Sequence, residues 1–296
     1  MRGLAQKQYL LIDFCGGIDH AIALAYALQA PDTKVVGVIC SDTDAGRGIS
    51  LAQKVIDWAK PGYEIAVVAG EQRPLFAALS GNTARVDEAS AGVRLMLEKA
   101  REAEGELTLV TLGRLTTLAK AVAAEPMLAK QLKRVVIQGG AIRVPGDVTA
   151  IAEANMHADP EAASFVLAAG LPLLMVPMDA TYALTLTNEQ AEAVVSIARN
   201  TGMINTAENA DLQPDAADLR LSAWGTLVAA LDPSAVATQQ MKLTIDCTST
   251  LSRGAVLADL RAKPSVGRDT DVCVRIETEK QYLWLQAALE QEGNRR

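Results

Sequence analysis

The stretch LLIDFCGGIDHAIALAYAL, residues 10–28, decides the fold of this chain. An apolar run ends at Asp13, two glycines follow, and a helix-like pattern starts after Gly17. A buried strand that turns on Gly16-Gly17 into a helix places polar side chains at the carboxyl end of a parallel sheet. Open α/β sheets build their ligand sites at that edge.

The same alternation continues along the chain. Apolar, strand-like runs are followed by Ala- and Leu-rich stretches with helical periodicity, which predicts an α/β fold with a mainly parallel central sheet flanked by helices. The predicted strands are Tyr9–Ile12, Lys34–Cys40, Glu64–Ala69, Leu107–Thr111, Arg134–Gln138 and Leu173–Pro177. The predicted helices are Ala21–Gln29, Gly48–Ala59, Ser90–Glu104, Thr116–Ala124 and Pro160–Ala169.

The last third of the sequence changes pattern. It is helical from about residue 186 through Ala230, and MKLTIDCTS, GAVLADL and TDVCVRIE then predict antiparallel strands, a small annex before a closing helix over Glu279–Gln291. No repeat or linker separates these parts. We therefore expect a single domain over residues 1–296.

Composition excludes several classes of protein. With 296 residues, 50% hydrophobic and 21% charged, the chain is long and apolar enough for a substantial core. Its net charge of −7 argues against a nucleic-acid partner. We find no apolar run of about 20 residues and no signal-peptide pattern, so we expect no membrane span and a cytoplasmic location. The four cysteines have no CxxC spacing, and their number is low for a disulfide scaffold.

Three motifs carry a resemblance to a known family. DFCGGIDHA at residues 13–21 resembles DxDxGxDDA, the opening signature of the nucleoside hydrolases, the inosine-uridine-preferring N-ribohydrolases. LTLVTLGRLTTLAKAV at 107–122 is similar to that family's strand–TGPLTNIA–helix segment, and IQGGAIRVPGDVTAIAEANMHADPEAA at 137–163 to its GGA…GNxTPxAEFNxxxDPEAA region. The resemblance covers nearly the whole chain. It implies the nucleoside hydrolase fold, a nucleoside or ribosyl-like ligand, a role in purine or pyrimidine salvage, and a homo-oligomer, dimer or tetramer.

The resemblance also implies a calcium ion, held by the second and fourth acids of the first motif, a backbone carbonyl and a late Asp. The matching residues here are Cys15, His20, Leu112 and Ala223, and Ser222 stands where the family has a His that faces the leaving base. Calcium requires six to eight oxygen ligands, which sulfur and neutral nitrogen do not replace. We therefore expect no metal and no cofactor, with calcium bound only if the resemblance overrides these substitutions.

The resemblance further assigns ligand contacts. The family's ribose-binding Asn, Glu and Asn match Asp147, Glu153 and Asn155, of which the first is changed from an amide to a carboxylate. The other candidate contacts are Asp13, Asp19, Asp44 and Trp224. Simpler interpretations stand beside them, since SDTDAG is also an ordinary acidic turn and a tryptophan in an Ala-rich helix usually belongs to the core.

Three functions compete on this sequence. In the first, the chain keeps a ribosyl pocket while calcium-dependent N-glycosidic hydrolysis is lost or strongly impaired, because an unperturbed Cys, with a pKa of about 8.5, is a poor base at neutral pH. In the second, a rebuilt site uses Cys15 and His20 as nucleophile and base, or as zinc ligands with Asp13 or Asp19. In the third, the chain is a non-catalytic structural or regulatory subunit.

Overall fold

The computed structural model describes residues 7–41, 44–76, 89–182, 184, 187–200, 221–277 and 279–290. Within these ranges nine strands form one sheet in the order β3-β2-β1-β4-β5-β6-β9-β7-β8. The strands are β1 (Gln8–Phe14), β2 (Thr33–Cys40), β3 (Ala66–Ala69), β4 (Leu107–Thr111), β5 (Leu132–Gln138), β6 (Leu173–Val176), β7 (Val236–Ile245), β8 (Val256–Ala258) and β9 (Arg268–Ile276).

Helices follow most of the parallel strands, as the alternating sequence predicts. In chain order they are α1 (Ile18–Gln29), α2 (Ala45–Ala59), α3 (Ala91–Glu102), α4 (Thr116–Ala124), α5 (Leu128–Gln131), α6 (Ala154–Ala158), α7 (Pro160–Ala168), α8 (Met178–Thr181), α9 (Asn188–Asn200), α10 (Ser222–Leu231) and α11 (Glu279–Glu290). Part of the predicted helical stretch before Ala230, residues 201–220, lies outside the described residues. Among the described helices, none has the length and apolar character needed to cross a bilayer.

The core lies on both faces of the sheet. Strand β1 is buried over its last five residues because its side chains alternate between two apolar layers. Leu10 and Ile12 pack into the layer that contains α1, α2 and α10, whereas Leu11 packs into the layer that contains α3, α4 and α7. Burial on both faces explains why the parallel strands are nearly continuous apolar runs.

The C-terminal strands continue the main sheet. Strand β9 pairs parallel to β6, and β7 pairs antiparallel to both β9 and β8. The α/β fold class and the small antiparallel part predicted near the C-terminus are therefore confirmed, with the added finding that this part belongs to the same sheet. One edge of that sheet is the three-residue strand β8.

The register of the parallel strands brings their carboxyl ends together. Asp13 on β1 is opposite Ile39 on β2 and Thr111 on β4, and Thr111 is opposite Ile137 on β5. Loops that follow these strands must therefore meet at one edge of the sheet. Each of the three motifs spans one of these loops.

Candidate ligand-binding site

The loop between β1 and α1 is closed by a hydrogen bond within the motif. Gly16 takes a φ of +74°, a conformation that glycine adopts without strain, and turns the chain back toward α1. The backbone N–H of Cys15 then donates to Nδ1 of His20 at 3.1 Å. The imidazole also meets the ring of Phe14 edge-on, with 5.7 Å between the centroids. His20 is only 9% exposed, so its ring is part of the loop's own packing.

This hydrogen bond fixes which ring nitrogen of His20 carries the proton. Because Nδ1 accepts from the Cys15 amide, the neutral imidazole must carry its hydrogen on Nε2. Nε2 lies 3.8 Å from Oδ1 of Asp19, the preceding residue in the first turn of α1. A base that activates the Cys15 thiol needs a nitrogen lone pair directed at sulfur, and the Nδ1 lone pair is engaged by the backbone instead.

Asp13 lies beneath this loop and is fully buried. Neither carboxylate oxygen has a hydrogen-bond partner within the described part of the chain. Burial raises the pKa of Asp13 to about 7, while the Ser41 hydroxyl and the positive charge of Arg114 act in the opposite direction. Asp13 therefore lies beneath the loop, with no surface exposed for direct contact with a ligand in this conformation.

Arg114 is a buried cation that the sequence analysis did not single out. It is 7% exposed and donates from Nη2 to the backbone carbonyl of Glu71 at 2.9 Å. The Glu71 carboxylate in turn pairs with Lys120 at 2.6 Å. These contacts tie the loop after β3 to the loop after β4. The only sequence signal was a charged residue at the position of Pro in TGPLTNIA.

The second half of the site is built around Glu153, the residue that precedes α6. Its Oε2 accepts from the backbone N–H groups of Gly140 at 2.9 Å and Met156 at 3.1 Å. Burial raises the pKa of Glu153 to about 7, although these backbone donors lower it. Gly139, with a φ of +139°, makes room for this carboxylate, because a Cβ there would lie 2.7 Å from Oε2.

Asn155 links the two halves. Its Nδ2 donates to the carbonyl of Leu112 at 3.1 Å and to the carbonyl of Gln138 at 3.2 Å. The side chain thereby joins the ends of β4 and β5. The Leu112 carbonyl, assigned to calcium by the resemblance, already accepts this hydrogen bond.

Asp147 and Glu153 line a common cavity of about 60 Å³ at the carboxyl ends of β5 and β6. Asp147 is held there by accepting from the backbone N–H of Ala154 at 2.9 Å. The cavity also contains Ser222, the residue in the position of the family's His. The remaining lining residues are Gln138, Gly139, Val176, Met178, Thr181 and Tyr182.

Of the candidate contacts, only Asp147 and Glu153 line this cavity. Trp224 is 1% exposed and packs edge-on against Tyr26 in the layer of α1 and α10. This burial favours a role in the hydrophobic core over stacking against a nucleoside base. Asp44 is exposed and caps α2 by accepting from the backbone N–H of Arg47 at 3.2 Å. Neither residue lines the cavity at Glu153.

Two further acids near this sheet edge have structural partners. Asp179 accepts from the backbone N–H groups of Ile142 and Arg143, both at 2.8 Å. Asp159 caps α7 and binds the hydroxyl of Thr116 at 2.6 Å. Each stabilises a loop at the same sheet edge.

The residues at the four calcium positions do not fit that ion. They offer a thiol, an imidazole engaged by its own loop, a carbonyl bonded to Asn155, and the methyl group of Ala223, which is fully buried. Calcium depends on carboxylate and carbonyl oxygens for its binding energy. Across the described residues there is also no group of three or more His, Cys, Asp or Glu side chains able to hold a metal.

A larger concavity, of about 770 Å³, lies at a different place in the fold. It opens between α2 and the start of β3, where Tyr63 and Glu64 form part of its wall. The loops at the carboxyl ends of the strands do not contribute to it. The smaller cavity is therefore the better candidate, because Gln138, Asp147 and Glu153 of the third motif line it.

Gln138 is a polar lining residue that the sequence did not single out. Its side-chain Oε1 is buried and has no hydrogen-bond partner among the described residues. In the sequence it is the last residue of an apolar strand, and only its place just before Gly139-Gly140 indicated that it could face a ligand.

Comparisons with known proteins agree with this geometry. The chain is 31% identical over 199 residues to the probable uridine nucleosidase 2 of Oryza sativa subsp. japonica, a match that covers 59% of this chain and 58% of that protein. The first matched plant relatives are thus covered over only about three fifths of their length. Over 94% of this chain and 95% of the relative, it is 24% identical to the pyrimidine-specific ribonucleoside hydrolase RihB of Escherichia coli.

Solved structures and the family model extend the comparison to almost the whole chain. A plant nucleoside hydrolase aligns with a TM-score of 0.78 and 26% identity, covering 95% of this chain and 98% of that one. The model of the inosine-uridine preferring nucleoside hydrolase family matches residues 10–282. On that match, the chain belongs to the inosine-uridine preferring nucleoside hydrolase family.

Proposed function

We propose that this protein binds a nucleoside or a similar ribosyl compound at the cavity formed by Gln138, Asp147 and Glu153, and that calcium-dependent N-glycosidic hydrolysis is lost or strongly impaired. Family membership supports a nucleoside ligand, because the relatives are named as uridine nucleosidases and ribonucleoside hydrolases. The geometry at Glu153 supports a pocket that can still form hydrogen bonds to hydroxyl groups.

The hydrogen bond from the Cys15 amide to His20 carries the second half of the proposal. An acid at position 20 would direct oxygens at a metal, whereas this imidazole is turned back onto its own loop. With a thiol at position 15, an imidazole at position 20 and a methyl group at position 223, the three aligned acid positions provide no carboxylate to hold a cation or to accept a proton from water.

The chain's own residues can bind a ribosyl ligand and orient it. Asn155 fixes the ends of β4 and β5, and the Glu153 carboxyl, held by two backbone N–H groups, can accept from or donate to a ligand hydroxyl. With its pKa raised to about 7, Glu153 is present in both protonation states near neutrality. Its position in the cavity suits recognition of a polyol.

A rebuilt catalytic site is the alternative. It needs the Cys15 thiol and His20 to act as a pair, yet Nδ1 of His20 accepts from the Cys15 backbone. A purely structural role is the third possibility, and binding of no nucleoside at all would favour it. The single domain, the homo-oligomer and the cytoplasmic location stay predictions.

The test combines binding with turnover. We expect calorimetry to detect binding of inosine, uridine or adenosine. Elemental analysis of the purified protein should find no stoichiometric calcium. Release of ribose from these nucleosides should stay near background with or without added calcium. A family member that retains all the acids of the first motif serves as the positive control. Turnover close to that of the control, abolished by a chelator, would overturn the proposal.

A further inference from the structure

We propose that Asp179 is a positioning residue for the ligand cavity, because its carboxylate holds the loop over residues 141–152 in the orientation that places Asp147 in the cavity wall. This inference rests on the proposed function and adds to it a residue that sets the shape of the site. Asp179 does not line the cavity itself, although Met178 and Thr181 of the same helix do. Its effect on a ligand is therefore exerted through Asp147.

Two hydrogen bonds connect the Asp179 carboxylate to the loop. Its Oδ2 accepts from the backbone N–H of Ile142 and its Oδ1 from that of Arg143, both at 2.8 Å. Hydrogen bonds from N–H groups to a carboxylate are charge-assisted and about twice as strong as those between neutral groups. One side chain on the short helix α8 thus fixes two consecutive residues of the loop that follows β5.

Backbone hydrogen bonds join the same two segments just before this point. The N–H of Gly139 donates to the carbonyl of Val176 at 3.1 Å, and the N–H of Met178 donates to the carbonyl of Gly140 at 2.8 Å. These bonds hold the chain that leaves β5 against the end of β6 and against α8. Beyond Gly140, the Asp179 carboxylate takes over this pairing.

The part of the loop that carries Asp147 is closed on itself. The backbone N–H of Gly146 donates to the carbonyl of Ala150, and that of Val148 to the carbonyl of Ala152, both at 3.2 Å. Gly146 lies so close to Ala152 that a Cβ on it would be 2.2 Å from the Ala152 carbonyl oxygen. Because this turn is bonded internally, its orientation over the cavity depends on what holds its two ends.

The two ends of the turn are held by different carboxylates. At the far end, Oδ1 of Asp147 accepts from the backbone N–H of Ala154, the first residue of α6, at 2.9 Å. At the near end, the bond from Arg143 to Asp179 lies only three residues before Gly146. Loss of the near contact would leave the turn fixed mainly at one end, so that the orientation with Asp147 in the wall would be one of several.

Calorimetry with uridine and adenosine on the full chain tests the inference. If Asp179→Ala leaves the competent orientation in about one molecule in ten, the affinity for whichever probe binds should fall about ten-fold. Asp179→Asn keeps one acceptor oxygen and should lose less. The matched control is Asp259→Asn, because Asp259 also accepts from two backbone N–H groups of its own loop, those of Ser265 and Val266, and does not line the cavity. It should retain the affinity of the unmodified protein even where its stability falls.

A double-mutant cycle distinguishes positioning from a general loss of structure. If Asp179 acts through Asp147, Asp179→Ala should weaken binding by about two-fold or less in a protein that already carries Asp147→Ala. A change that is only destabilising would weaken binding by the same factor in both backgrounds. Hydrogen exchange provides a second measurement that needs no ligand, since the amides of residues 146–152 should exchange faster in Asp179→Asn and at an unchanged rate in Asp259→Asn.

The outcomes separate this inference from the proposed function. Nucleoside affinity that is unchanged in a folded Asp179→Ala variant, or an effect that does not depend on Asp147, would overturn the inference alone. If the unmodified protein binds neither probe, the proposed function fails and the inference fails with it. If Asp179→Ala does not fold, Asp179→Asn takes its place in the cycle, and unchanged exchange of the 146–152 amides in that variant would also overturn the inference.

Discussion

Nδ1 of His20 accepts a hydrogen bond from the backbone N–H of Cys15 at 3.1 Å, which closes the loop between β1 and α1 upon itself. A side chain that satisfies a backbone donor in its own loop stabilises that loop in one conformation. The position aligned with a metal-binding acid therefore has a structural role in this chain. The tautomer of the ring is fixed by the same contact.

We therefore predict that the neutral form of the His20 ring carries its proton on Nε2. Long-range ¹H–¹⁵N NMR spectra distinguish the two tautomers, and the His157→Gln variant assigns the signals because the chain has only two histidines. A proton on Nδ1 would contradict the hydrogen bond described here.

The same contact predicts the effect of mutations at position 20. His20→Ala leaves the Cys15 amide without its acceptor and should lower the free energy of unfolding by about 1–3 kcal/mol. His20→Asn keeps an acceptor oxygen near Nδ1 and should lose less. Equal losses in urea denaturation would show that packing against Phe14, and not the hydrogen bond, stabilises the loop.

Trp224 should behave as a core residue. It is 1% exposed and packs on Tyr26, so Trp224→Ala should lower the free energy of unfolding by about 3–5 kcal/mol. Trp224→Phe keeps most of the volume and should retain full nucleoside affinity in calorimetry. A large loss of affinity in a stably folded Trp224→Phe variant would restore the stacking role.

Gly139 is predicted to be required at the site for two separate reasons. Its φ of +139° is unfavourable for other residues, and a Cβ would crowd Oε2 of Glu153 at 2.7 Å. Gly139→Ala should therefore destabilise the protein and remove ligand binding. The matched control is Gly105→Ala, which also has a positive φ, of +89°, but meets no atom within 4 Å. It should lower stability by about 1 kcal/mol and leave ligand binding unchanged.

From the raised pKa of the buried Asp13 carboxyl, we predict that the stability of the protein depends on pH. Its pKa is raised to about 7 in the folded protein, whereas an unfolded chain releases the proton near pH 4. The folded state therefore binds more protons between these values, so this contribution to stability is complete below about pH 4 and is lost as the pH rises through about 7. The pKa of Glu153 is also raised to about 7 in the folded protein, so its contribution to stability is lost over the same pH range.

The Asp13→Asn variant should remove its part of that dependence. Urea denaturation at several pH values measures the free energy of unfolding. Between pH 5 and pH 8 this free energy should decrease in both proteins, and the decrease in Asp13→Asn should be smaller than in the unmodified protein by roughly 2–3 kcal/mol. Asp57→Asn, an exposed carboxylate on α2, is the control and should keep the original slope. Parallel curves for all three proteins would show that Asp13 is ionised throughout this range.

The parallel sheet was predictable from sequence because strands buried on both faces are nearly continuous apolar runs, as Leu10–Ile12 of β1 and Val135–Ile137 of β5 are. The motifs also indicated the region where Asp147 and Glu153 meet. The ring direction of His20 was not predictable, because it depends on a contact between a side chain and a backbone amide five residues earlier. Gln138 was missed since the last residue of an apolar strand gives no signal of its own, and the burial of Trp224 depends on how α10 packs against α1.

The calcium positions allow a test by restoration. Cys15→Asp, His20→Asp and Ala223→Asp together return three carboxylates to the aligned positions, and the Leu112 carbonyl has a second lone pair beside its bond to Asn155. We expect this triple variant to bind calcium in calorimetry with a dissociation constant of about 1 mM or tighter, as found for weaker protein calcium sites.

The single variant Ala223→Asp provides the matched control for that experiment. It places a carboxylate where the side chain is fully buried, so it should be destabilised by a few kcal/mol, and added calcium should not rescue it. In the triple variant, calcium at about 100 times its dissociation constant should raise the free energy of unfolding by about 2.7 kcal/mol. If the triple variant folds but calcium does not change its stability, the three carboxylates alone are insufficient to hold the ion. The pocket of this protein would then differ from those of its relatives in shape as well as in metal ligands.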